Sequence, residues 1–332
     1  MKVFAGVDLG GTNIKAGLVD VETGDLLISD SVPTQSHLGP ESVLTRIAEL
    51  VEKLISQSGL GGNEIGGLGI SAPGIIDLAT NTTVFMTNLH SRWRQIPVGD
   101  WMMEALGYKV AMLNDVRAIT YGEWKFGAGK GVDSLVCMAV GTGVGGGLVV
   151  NDQLVLGYEG TAGEIGHQTM DPDGPLCGCG NHGCLEVYAS GPAIAAEAAR
   201  GILQGWSTKI SDLIEHDFNR LTPKIIAQAA DLGDEFALEI WQRAGRYLGI
   251  GVANILTAIG VKRVIIAGGV ANAGNLLLKP IKDEIHKRVF LMPVDKVDVV
   301  RGKLGSKAGI IGIATWRAKQ DLDQTIKKRN EN

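Results

Sequence analysis

The sequence predicts an α/β protein built from two related domains, because one local pattern occurs twice. Residues 2–7 and 14–20 read as strands around the turn Asp8-Leu9-Gly10-Gly11-Thr12-Asn13. Residues 134–140 and 147–150 flank Gly141-Thr142-Gly143-Val144-Gly145-Gly146 in the same way. Between these units lie segments with apolar residues at helical spacing. The 47 glycines in 332 residues are about twice the ordinary share and mark tight turns and close backbone approaches.

Taken in order, the first strand pair is followed by Val43, Leu44, Ile47, Leu50, Val51, Leu54 and Ile55 on one helical stripe, with Gly59 as its stop. Residues 68–70 form a short buried strand that runs into the turn Ser71-Ala72-Pro73-Gly74. Another strand, 110–113, leads into Asn114-Asp115. After the second glycine hairpin come a long helix over 236–259, a buried strand over 264–267 ending in Gly268-Gly269, and helices over 274–289 and 307–319. The polar tail is expected to fray. The domains implied are 1–117, joined by the last helix 307–319, and a larger 118–306. They are expected to face a cleft, with a hinge near 116–131.

Composition narrows the class. A formal charge of −5 argues against a nucleic-acid or membrane surface, either of which would favour a basic patch. The start of the chain does not read as a signal peptide, and no window supplies the ~20 apolar residues of a membrane span. Four cysteines in a chain of this length do not make a disulfide scaffold, which fits a reducing cytoplasm.

The cysteines are instead clustered. Cys177, Cys179 and Cys184, with His167 ten residues upstream, have the donor types and spacing of a structural Cys3His zinc site, the knuckle 167–184. A disulfide would leave one thiol over and strain a C-x-C pair. His182 is the rival fourth ligand; His167 is preferred because it fastens a second segment. The same loop carries the carboxylates Glu164 and Glu186, which could accept hydrogen bonds from a polyol.

Glycine turns between strands let backbone N–H groups approach phosphate oxygens. Asp8, Gly10, Gly11 and Thr12 add a carboxylate able to hold Mg²⁺ through water and a phosphate-binding hydroxyl; Thr142 and Gly143 offer a second such turn. Gly268 and Gly269, after an apolar strand, can accommodate a base or ribose. Each turn alone is as readily a plain hairpin. No Walker loop occurs, and the second turn leads into a strand rather than the helix of a dinucleotide fingerprint. Asp115, after a strand, could accept a proton from a hydroxyl, although an Asn-Asp pair there is more often a turn or helix cap.

With these residues in place, the chain resembles the ROK sugar kinases, especially bacterial glucokinases, over nearly its whole length. The resemblance rests on Asp8-Leu9-Gly10-Gly11-Thr12, Ala72-Pro73-Gly74, Asn114-Asp115, Gly141-Thr142-Gly143, Glu164-Ile165-Gly166-His167, Cys177-Gly178-Cys179-Gly180, Gly183-Cys184-Leu185-Glu186 and Gly268-Gly269-Val270. It implies an actin-like ATPase (ribonuclease H-like) fold and ATP-dependent phosphorylation of a hexose at its 6-hydroxyl. Glucose is favoured over N-acetylglucosamine, N-acetylmannosamine, mannose, fructose or allose. The resemblance makes Asp115 the general base, gives Asn114, Glu164 and Glu186 the other hydroxyls, and lines the pocket with Gly74 and Asn88. His167 would bind zinc through one ring nitrogen and sugar through the other. Mg²⁺ as cofactor and a homodimer or higher homo-oligomer follow from the same source.

Two departures border the expected pocket. The family's usual Asn-Asp-x-Asn-Ala is Asn114-Asp115-Val116-Arg117-Ala118 here, and its Pro-Asn-Leu-x-x-Trp is one residue longer, Thr87-Asn88-Leu89-His90-Ser91-Arg92-Trp93. Arg117 could reach a phosphate, pair with a carboxylate, or point to solvent; solvent or a structural pair is the favoured expectation. A ROK repressor is disfavoured by a first strand that starts at Lys2, with no helix-turn-helix before it. An actin-like scaffold or chaperone has no use for carboxylates on a metal clamp.

Overall fold

A computed structural model describes residues 1–86, 89 and 93–330, the side chains of 324–330 excepted. The chain divides into two compact units. The first comprises Met1–Gly131, Leu154–Ala162 and Lys303–Asn332; the second comprises Val132–Gln153 and Gly163–Gly302.

In the first unit, β1 (Val3–Leu9), β2 (Asn13–Asp20), β3 (Asp25–Pro33), β4 (Ile65–Ala72) and β7 (Val110–Asn114) form one sheet, in the order β3-β2-β1-β4-β7. Strand β1 pairs antiparallel with β2 and parallel with β4. Helix α1 (Pro40–Ser58) covers one face, its Val43, Leu44, Ile47, Val51 and Leu54 packing with Val7, Leu9 and Ile70. It ends at Gly59 with φ 73°, the left-handed cap that glycine adopts without strain. A hairpin of β5 (Ile75–Asp77) and β6 (Thr82–Phe85) and helix α2 (Val98–Leu106) precede β7; α3 (Asp115–Phe126) follows it.

The second unit repeats the plan. Strands β8 (Leu135–Val140), β9 (Val144–Val150), β10 (Gln153–Leu154), β11 (Arg263–Ala267) and β12 (Asp298–Arg301) take the order β10-β9-β8-β11-β12. The first two pair antiparallel, and β11 pairs parallel with β8 and β12. Helices α4 (Glu186–Ala189), α5 (Gly191–Leu203), α6 (Lys209–Leu213), α7 (Pro223–Asp231), α8 (Glu235–Ile259) and α9 (Asn275–Arg288) complete it. In both sheets the chain orders its strands 3-2-1-4-5, with the first two antiparallel and the first and fourth parallel, so the doubled unit expected of the actin-like ATPase fold is present.

The last helix, α10 (Ala308–Asn330), returns to the first unit. Its backbone lies directly on the sheet: a Cβ on Gly6 or Gly69 would stand 2.3 Å from the carbonyl oxygen of Ile310 or Ile313. Phe4 and Val19 pack with Ile310, Ile311 and Ala314 there. The expected end at 319 is too early. Arg317–Asp321 and Lys319–Asp323 pairs at i,i+4 carry the helix into the polar tail. No helix among the described residues is long and apolar enough to cross a membrane.

The region expected to be a hinge is largely α3, which belongs to the first unit and extends that unit's chain past residue 117 to Gly131. Its buried face includes Arg117, Thr120 and Glu123, so hydropathy gave no helical stripe. Glu123 is 1% exposed, and its carboxylate accepts from the backbone N–H groups of Ala128 (2.8 Å), Lys303 (3.0 Å) and Leu304 (2.8 Å). It staples the segment by which the chain leaves the first unit to the one by which it returns. Glu123→Ala would leave three donors without that acceptor and should cost about 3 kcal/mol or more. Urea unfolding followed by tryptophan fluorescence measures this; a loss under about 1 kcal/mol would remove the staple's role.

Candidate functional site

In the first unit, the antiparallel β1–β2 register and the parallel β1–β4 register put Lys15, Asp8 and Ser71 in one cross-strand row. The Ser71 hydroxyl donates to Asp8 Oδ1 at 3.0 Å, and a Cβ on Gly309 would lie 3.1 Å from the Asp8 carboxyl carbon. Burial pushes the Asp8 carboxyl above its ordinary range, opposed by the Ser71 hydrogen bond and the Lys15 charge. The turn after it is held from β3's end. Thr34 donates its hydroxyl to Gly10 O at 2.7 Å and its N–H to Thr12 O at 2.9 Å. Gly11 and Thr12 stay exposed. Thr34 escaped the sequence reading, and Ser71, read there only as part of a turn, is the penultimate residue of β4; they lie 24 and 63 residues from the groups they hold.

At the end of β7, Asn114 is the N-cap of α3. Its Oδ1 accepts from Val116 N (3.0 Å) and Arg117 N (3.3 Å), and its Nδ2 donates to Gly74 O (3.2 Å). Asp115 is the first residue of α3, with Oδ1 accepting from Val116 N at 2.8 Å. Gly74 has φ 94°, and a Cβ on it would meet Phe85 O at 2.2 Å. Gly74, Asn114 and Asp115 are thus brought together, while Asn88 and its neighbours Thr87, His90, Ser91 and Arg92 lie outside the described residues.

In the second unit the glycine turn is shorter than expected. Val140 and Val144 are ladder partners, so β9 begins at Val144 and only Gly141-Thr142-Gly143 turn. Thr142 is exposed. The Val144 N–H donates to Glu186 Oε2 at 2.9 Å, and Gly191 N–H donates to Gly141 O at 2.8 Å. Gly268, with φ 85°, abuts the same strand end, a Cβ there standing 2.3 Å from Val140 O; Gly269 faces open space. Thr142, Gly143, Gly268, Gly269 and Glu186 therefore gather at the ends of β8 and β11. Glu164 is exposed just before the short turn Ile165–His167.

His167, Cys177, Cys179 and Cys184 have ligand atoms all within 4.8 Å of one another. His167 Nδ1 lies 3.7 Å from Cys177 Sγ, and Cys179 Sγ lies 3.7 Å from Cys184 Sγ. Burial pushes the Cys184 thiol up to about 12, so this thiol is protonated unless a cation displaces the proton. His182 is not in the cluster; its Nδ1 is 3.0 Å from Gly174 O, on an exposed side chain.

A family model described as the ROK family matches residues 4–320. The chain belongs to the ROK family. It is 35% identical to a glucokinase of Halalkalibacterium halodurans, over 99% of this chain and 98% of that one. A solved ROK glucokinase from Streptomyces griseus, in complex with glucose and AMPPNP, superposes with a TM-score of 0.81 at 33% identity, covering 94% of this chain and 98% of the other. A xylose repressor of Bacillus subtilis is 31% identical over 93% of this chain and 75% of its own length.

One departure from the usual ROK pattern is now explained. Arg117 does not point to solvent: it is 3% exposed and donates through Nε to Ala162 O at 2.7 Å, with Nη2 on the same oxygen. It anchors a backbone carbonyl. Arg117→Asn should lower the thermal midpoint by several degrees, in line with ~1–3 kcal/mol for a lost buried hydrogen-bonded charge. The ratios of kcat/KM among sugars should stay within twofold in a coupled assay; a change in those ratios would return Arg117 to the pocket.

Proposed function

We infer that this chain is an ATP-dependent sugar kinase that transfers the γ-phosphoryl group to the 6-hydroxyl of glucose. The observation that carries the reading is the near end-to-end match to a glucokinase and to a glucokinase bound to glucose and AMPPNP. Its test is a coupled assay over glucose, mannose, fructose, allose and the N-acetylhexosamines, with glucose expected to give the highest kcat/KM.

Phosphoryl transfer passes through a loose transition state, so positioning and charge neutralisation dominate. The turns bearing Gly10, Gly11, Thr12 and Thr142, Gly143 offer backbone donors to the triphosphate, and Gly268-Gly269 leaves room for the nucleoside. Asp8 is the carboxylate suited to holding Mg²⁺ through water; that ion supplies neutralisation of phosphate charge. Asp115 takes the proton of the 6-hydroxyl, its position fixed by the Asn114 cap and the Asn114–Gly74 bond. Glu164, Glu186 and His167 Nε2 bind the remaining hydroxyls, and Gly74 and Asn88 line the pocket. A reducing cytoplasm fits a cysteine cluster read as metal ligands, and the resemblance supports a homodimer or larger homo-oligomer.

The Cys3His cluster fits structural zinc. Two thiolates ~2.3 Å from a tetrahedral zinc stand ~3.8 Å apart, and a thiolate and an imidazole nitrogen ~3.6 Å, close to the 3.7 Å of the Cys179–Cys184 and His167–Cys177 pairs. Zinc bound there would tie His167 to the loop that leads to Glu186.

Asp115→Asn should keep the fold and nucleotide-analogue binding while kcat falls at least ~10²-fold, the usual worth of a general base. Single-turnover kinetics decide it, and turnover within tenfold of the parent would exclude Asp115 as the base. For the metal, atomic absorption should find about one zinc per chain. Cys179→Ser and His167→Ala should each lose most of it, and His182→Ala should keep it. Retention in the first two, or loss only in the third, would refute the ligand set.

A further inference from the structure

Glu186 does two things with one carboxylate. Its Oε2 accepts the Val144 N–H at 2.9 Å, while Oε1 makes no protein hydrogen bond among the described residues. Val144 is buried, so its N–H cannot face a phosphate and must find its partner inside the protein. The carboxylate also fills the space behind the turn: a Cβ on Gly143 would stand 2.3 Å from Oε2. Besides the turn's own Gly141 N–H to Gly143 O bond at 2.9 Å, two contacts hold it from outside. One is the backbone pair Gly191–Gly141, and the other is Glu186, the only side chain in that role among the described residues.

We propose that Glu186 is a bridge between the two substrates: Oε1 meets the sugar while Oε2 sets the shape of the nucleotide turn Gly141-Thr142-Gly143. This rests on the sugar-kinase reading above. Sugar binding fixes the carboxylate and thereby the turn, so each substrate should tighten the other. Coupling of this kind is reciprocal and typically amounts to ~5–150-fold in affinity. Nothing in the local sequence joins Glu186 to the turn 42 residues before it.

The test is calorimetric titration of the full chain with glucose alone, with AMPPNP and Mg²⁺ alone, and with each in the presence of the other. Glu186→Ala should weaken sugar-free AMPPNP binding at least ~5-fold and abolish the mutual tightening. Glu186→Gln can still accept the Val144 N–H and should hold sugar-free AMPPNP affinity within twofold, while glucose binding weakens. Glu164→Ala should weaken glucose binding and leave sugar-free AMPPNP affinity within twofold. From the other side, Gly143→Ala should displace the carboxylate and weaken nucleotide-free glucose binding at least ~5-fold. Circular dichroism checks folding, and if Glu186→Ala does not fold, Glu186→Gln and Gly143→Ala carry the test. A parent that binds neither ligand refutes the sugar-kinase reading itself. A parent that binds both, with sugar-free AMPPNP affinity unchanged or tighter in Glu186→Ala, or glucose affinity unchanged in Gly143→Ala, refutes the bridge alone.

Discussion

The backbone of Val144 is engaged through both its N–H and its carbonyl. Its N–H is taken by Glu186, and its carbonyl lies so near Gly166 that a Cβ there would come within 1.8 Å. One segment arrives from His167 and the other from Cys184, and the Leu185 N–H to Gln168 O bond at 2.9 Å joins them. A metal held by His167 and the three cysteines would fix the same two segments a second time. Close approach leaves no volume for a Cβ at these glycines: Gly166 meets the Val144 carbonyl, Gly146 the Ile165 side chain and the Gly163 carbonyl, and Gly143 the Glu186 carboxylate.

The first unit meets the same problem with other groups. Its strand ends also leave turn carbonyls and carboxylates without ladder partners, as strand ends do wherever α/β sheets present ligands. Here hydroxyls do the holding: Thr34 on Gly10, and Ser71 on Asp8. The two sheets share topology strand by strand but not the chemistry of their supports. Burial raises the proton affinity of Asp8 even though the Ser71 hydroxyl and the Lys15 charge oppose the rise.

Helix α3 shows how polar residues become structural when the backbone needs partners. Asn114 closes its N-terminus, Glu123 collects three N–H groups near its C-terminus, and Arg117 holds a carbonyl. Arg117 and Glu123 are buried and Asn114 is half-buried, and removal of any of them would strand the groups it serves.

The sequence by itself determined the doubled strand–turn–strand unit, the amphipathic helices α1 and α8, and the cysteine cluster, because period, glycine and metal-ligand spacing are local signals. It also marked Asp8, Asp115, Glu164 and Glu186 as carboxylates at turns. The tertiary structure alone decided that Asn114 is a cap, that Arg117 is buried, that α3 fills the expected hinge, and that Thr34, Ser71 and Glu123 matter at all. It also decided that Glu186 reaches the glycine turn. The Asn114 cap is local, and the Asn-Asp pair after a strand had already offered it; the bonds of Thr34, Ser71, Arg117 and Glu186 and those from Lys303 and Leu304 to Glu123 join residues tens to almost two hundred positions apart, and no local pattern encodes them.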